Sequence, residues 1–141
     1  MRLFLLPFSL LTLSLLLTSC SETKVSRCNS LIQVANRTTQ DIQSLPAQAI
    51  PPKERFAKAA ELLDRAARDV TDLKVNDATL KPLRDQMIEL YSRDRDSNRL
   101  LATSENAKEI RQAAESIQKN DVIQKNLVKA ANTYCQAPEK S

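Results

Sequence analysis

The 141-residue chain reads as all-α: an antiparallel, up-down-up-down four-helix bundle with a disulfide joining its first and last helices. Three observations predict this. Ala, Leu, Glu, Lys, Arg and Gln dominate, all good helix formers, and there is no glycine. Four stretches carry apolar residues at three- and four-residue spacing, the period of a helix with one core-facing stripe, and no stretch alternates as a strand does. Two cysteines, Cys28 and Cys135, stand in the first turn of the first stretch and the last turn of the fourth.

Residues 1–19 have the layout of a signal peptide. Arg2 supplies a minimal positive segment, and the leucine-rich run Leu3–Leu17 is shorter than the roughly 20 apolar residues that span a bilayer. Leu17-Thr18-Ser19-Cys20 then resembles the processing site of bacterial lipoproteins. In that class a small residue precedes a cysteine whose sulfur is acylated, with palmitate-type chains, and which becomes the new N-terminus. The resemblance implies lipidation of Cys20, a membrane as partner through that lipid, and a place in the bacterial cell envelope facing the periplasm or the exterior. It leaves open which membrane holds the anchor. The competing account is an ordinary secretory leader cut elsewhere, with Cys20 incidental. Cys20 to Lys24 forms the lipidated end and a polar tether, whose last four residues reach about 14 Å when extended.

The bundle is expected over 25–136. Its first helix, about 25–45, carries Val25, Cys28, Leu31, Ala35, Thr38, Ile42 and Leu45 on one face, and Pro46 ends it. A proline-rich connector, 46–52, leads to a second helix at about 52–74, with Phe56, Ala59, Leu63, Ala66, Val70 and Leu73 inward. Its alanines allow close helix approach. Asn76-Asp77 marks a break, with Asp77 as cap for a third helix at about 78–102. Leu80, Leu83, Met87, Leu90, Tyr91 and Leu101 form that helix's stripe. The polar run Ser92–Arg99 interrupts it and is expected as an exposed face with local charge pairs, or else as a partner-binding surface. Residues 103–106 supply a turn and cap. The fourth helix runs to Cys135, and its phase slips at Asn120-Asp121, where Val122 and Ile123 leave the register, so a kink or break is expected there. Pro138 forbids further helix, leaving 137–141 as a frayed tail.

With Cys20 lipidated, Cys28 and Cys135 remain as an even pair in an oxidising compartment, which favours a disulfide. In a four-helix bundle of alternating direction their positions lie at the same end on neighbouring helices. In a three-helix bundle they lie at opposite ends, beyond the roughly 7 Å limit between Cα atoms. Metal binding by the pair has a poor ligand set, with no histidine and no third cysteine available, and a redox role lacks a Cys-x-x-Cys arrangement.

The leader, the run Cys28-Asn-Ser-Leu-Ile-Gln-Val-Ala-Asn36, the Leu90-Tyr91 step and the closing Asn132-Thr-Tyr-Cys135 together resemble small helical lipoproteins encoded by cyanobacteria. The resemblance supports fold and location and transfers no catalytic residue.

Function is bounded mainly by absences. Without glycine no phosphate-binding loop forms, and without histidine the commonest general base and metal ligand are missing. The 21 Lys and Arg against 17 Asp and Glu give a mixed surface, not a nucleic-acid groove. No catalytic residue, metal ligand or cofactor is assigned. The expected function is a non-enzymatic interaction or scaffolding module for an envelope protein partner, with Leu45 and Ile50 in the far connector as possible contacts or as plugs of the open bundle end. The alternative is a carrier of a lipid, pigment or other small hydrophobic ligand between the helices. An enzyme built on carboxylates such as Glu89, Asp94 or Asp96 is the third class, weighed against a plain solvated face.

Overall fold

The computed structural model describes residues 24–46 and 48–137. The signal peptide, Cys20, residues 21–23 of the tether and the tail beyond 137 lie outside the described residues. Four helices run in order: α1 (Lys24–Gln43), α2 (Pro52–Asp72), α3 (Leu80–Thr103) and α4 (Ala107–Gln136). They pack as a bundle in which each helix lies against its chain neighbours and α1 closes the ring on α4.

Local chemistry sets the boundaries. Pro51 stands at the N-cap of α2 and accepts from the Arg55 amide at 3.0 Å, while Pro52, at the first helical position, needs no amide partner. Asp77 Oδ1 accepts from the amides of Thr79 and Leu80 at 2.8 and 2.9 Å, so it caps α3 as expected. Asn106 caps α4 by accepting from the Lys108 amide at 2.9 Å. The first helix begins one residue early, at Lys24, because this lysine is not part of a loose tether. It is buried, its Nζ donates to the Ala137 carbonyl at 2.6 Å and stands 4.3 Å above the Tyr134 ring. That contact also ties Ala137, expected at the start of a frayed tail, to α1.

Cys28 and Cys135 are joined, with Cα atoms 5.8 Å apart, and the bridge links α1 to α4 at one end of the bundle. The main apolar core fills that same half. Leu31, Val34, Ala67, Val70, Val75, Leu80, Met87, Leu90 and Leu127 pack there with almost no exposure. Ala59, Ala60, Ala66 and Ala67 on α2 let α3 approach closely, and α2–α3 is the most extensive helix pair. By contrast, α1 meets α2 and α4 over much smaller surfaces.

Three further expectations are corrected. Helix α4 is continuous through Asn120-Asp121, with no break in its assignment as a single helix. Asn120 turns inward and is 4 % exposed, so the helix keeps its phase by burying a polar residue and leaving Val122 (58 %) and Ile123 (40 %) in solvent. The run Ser92–Arg99 is not an exposed face throughout. Asp94, Ser97 and Asn98 are buried, while Arg93 and Arg95 make the expected local pairs with Glu89 and Asp96. Val25, placed on the core stripe of the first helix by its spacing, is exposed.

Candidate functional site

The half of the bundle away from the disulfide is hollow. Its inward positions carry small or polar side chains where the other half carries leucines and valines: Thr38 on α1, Ala59 on α2, Asp94 and Asn98 on α3, Asn120 on α4. A cavity of about 280 Å³ results, reached by all four helices. Ile42, Phe56, Leu63 and Ile117 supply its apolar walls, and Thr38, Tyr91, Asp94 and Asn98 its polar ones. Its rim, at Thr39, Gln43, Asp121 and Gln124, also lines a surface groove of about 620 Å³ along the α1–α4 seam. Across that seam Gln124 Nε2 and Thr39 Oγ1 stand 3.5 Å apart, a weak contact.

Asp94 is the centre of the polar wall. Its Oδ1 accepts from Asn120 Nδ2 at 2.6 Å, and its backbone carbonyl accepts from Asn98 Nδ2 at 2.8 Å. Burial pushes its carboxyl above the ordinary carboxylate range, the Asn120 amide opposes this, and the charge of Asp121 adds to it. Tyr91 is 1 % exposed, and its hydroxyl has no hydrogen-bond partner of good geometry among the described residues. Burial pushes that phenol up to about 12, with Thr38 pulling slightly down and Asp94 pushing up, so it stays protonated at neutral pH. The Thr38 hydroxyl donates its own proton to the Val34 carbonyl at 2.8 Å.

At the opposite end the bundle floor is closed by a second polar group. The Tyr134 hydroxyl donates to Asp77 Oδ2 at 2.6 Å, and this bond, ahead of the Leu80 amide, holds Asp77 below the ordinary carboxylate range. One carboxylate thus caps α3 and ties α4 to the α2–α3 turn.

Leu45 and Ile50 both lie half-buried in the connector between α1 and α2, at the hollow end. Glu89 and Asp96 sit on the surface in ion pairs with Arg93 and Arg95, apart from Asp94, which alone of the three carboxylates lines the cavity. Among the described residues no group of three or more His, Cys, Asp or Glu is placed to hold a metal ion, and no helix is long and apolar enough to cross a membrane.

Sequence reasoning raises a ligand space between the helices as an alternative but does not place these residues at it, although a signal is present. Continuing the α3 stripe from Met87, Leu90 and Tyr91 by steps of three and four reaches Asp94, Ser97, Asn98 and Leu101, all buried. The same steps along α4 reach Ala113, Asn120, Leu127 and Ala131. Polar residues in register with a core stripe were read as surface by their type, when their position marked the interior. Comparison with family models, with curated proteins and with solved structures returns no match.

Proposed function

We propose that the mature chain is a lipid-anchored, non-enzymatic envelope protein that carries a small amphipathic molecule between its helices. The observation that carries this is a concavity walled by Ile42, Phe56, Leu63 and Ile117 with one buried carboxylate, Asp94, on its polar side. A few convergent polar groups in a mostly apolar concavity are also the usual make-up of a ligand site. The anchor is supported by the likeness of Leu17–Cys20 to a lipoprotein processing site, and the Cys28–Cys135 bridge is in keeping with an exported chain.

Mild-detergent extraction from the envelope, followed by mass spectrometry of the released small molecules, tests the proposal. A molecule should leave with the wild type in near-equal amount and be lost from Ala59→Phe, which fills the cavity without adding charge. An empty wild-type protein, folded by circular dichroism, would overturn it. A second reading, docking onto an envelope protein partner, is favoured by Val122 and Ile123, adjacent apolar side chains exposed on α4. Replacing both with Ser should abolish partner capture and leave the cavity ligand in place.

A further inference from the structure

We infer that the cavity takes a small amphipathic amine, its protonated nitrogen against Asp94 and its apolar body among Ile42, Phe56, Leu63 and Ile117. This rests on the cavity being a binding site, and it names the class of molecule bound.

Charge comes first. Among the described residues two carboxylates, Asp94 and Asp121, line the cavity, and no lysine or arginine does. Asp121 is answered on the outside by Lys125, its ion-pair partner one turn along α4. Among the described residues Asp94 has no cationic partner: its carboxylate bond is to a neutral amide, Asn120. The neighbouring arginine, Arg95, is turned to Asp64 and Asp96 instead. A buried carboxylate is stabilised by an opposite charge brought to it and destabilised by a like one, so carboxylates and phosphates are disfavoured here.

Hydrogen bonding points the same way. The Asp94 carboxylate accepts from the neutral Asn120 amide, and the Thr38 hydroxyl is committed as a donor to Val34. An ammonium offers three donors and no acceptor, which complements a buried carboxylate. A neutral alcohol leaves that carboxylate without a counter-charge.

Size limits the body. The cavity is about 280 Å³, and a closed apolar cavity of about 150 Å³ holds a benzene ring, so a ring plus a short aminoalkyl arm fits. Water alone, at about 30 Å³ per molecule, fills the same space with roughly nine molecules and has no use for the apolar walls. Entry is by the α1–α4 seam, where Asp121 places a second carboxylate at the mouth.

Calorimetric titration of the detergent-solubilised mature protein with three probes of matched size tests this: 2-phenylethylamine, 2-phenylethanol and 3-phenylpropionate. The amine should bind at least about tenfold more tightly than the alcohol, or about 1.4 kcal/mol, and the propionate should not bind. Asp94→Asn should erase that preference, and Ala59→Phe, which fills the cavity, should weaken both. Equal or tighter binding of the alcohol or the propionate by the wild type overturns the inference, as does an amine preference that survives Asp94→Asn. If no probe binds and the extracted protein yields a neutral or anionic molecule, the amine class fails and the carrier function stands. If no probe binds and the extract is empty, both fail and the cavity holds water.

Discussion

Reducing the Cys28–Cys135 bridge should cost this bundle much of its stability and release α1 first. The bridge closes a loop of 107 residues in sequence separation. On the chain-entropy relation that loop contributes about 4.8 kcal/mol at 25 °C. For a domain of this size about 1 kcal/mol moves the melting temperature by about 4 °C, so reduction should lower it by roughly 15–20 °C. The loss should be uneven. Helices α2 and α3 share the largest interface, whereas α1 meets its two neighbours over small ones and depends on the bridge for its place beside α4. Because α1 supplies Thr38, Thr39, Ile42 and Gln43 to the cavity, reduction should also abolish ligand binding. The assay is thermal unfolding followed by circular dichroism in the oxidised and reduced forms, with the Cys28→Ser, Cys135→Ser double variant as a control for reductant. Amide hydrogen exchange then reads each helix. A shift below about 5 °C, or equal loss of protection in α1 and α2, would refute the reasoning.

Asp77→Ala should destabilise by about 1–3 kcal/mol, combining a lost helix cap with a lost Tyr134 bond, and urea unfolding measures it. Because that carboxyl is held below its ordinary range, its contribution is present above pH 4 and fades as pH falls through the lowered value. Asp94 runs the other way. Its carboxyl is raised, so its contribution to the stability of the ligand-free protein is fully present below the ordinary carboxylate pKa and is lost as pH rises through the raised one. The titratable groups around it, Asp121 and Tyr91, are unchanged in Asp94→Asn, and urea midpoints of that variant should lack the decline. Ile50→Lys should lower the melting temperature if the side chain plugs the bundle end, or abolish partner capture at unchanged melting temperature if it is a contact. Cys20→Ser should release the protein into the soluble periplasmic or external fraction on fractionation, and a variant that stays tightly membrane-bound after leader removal would sink the anchor.

The helices and their order were legible because helix period and breakers are local. Pro46, Pro52, Asp77 and Asn106 mark ends through bonds they make or cannot make within a few residues. The disulfide was legible because two cysteines at the two ends of an even set of antiparallel helices come to the same end of the bundle. The cavity was not legible, since it depends on what four separate helices bring to one level. Asp94 and Asn120 are 26 residues apart in the chain, and each alone looks like a surface residue. Only their meeting makes burial tolerable, since each satisfies the other's polar atoms, and it also removes the need for α4 to break at Asn120. Tyr91 is read correctly as core from its spacing, yet whether its hydroxyl finds a partner is decided by the few ångströms between α1 and α3. Sequence by itself determined the four helices, their direction and the bridge, because those follow from neighbours along the chain. Which half of the bundle is packed and which is hollow was decided only by tertiary structure, because filling a core depends on the summed volume and polarity of side chains from all four helices at one height.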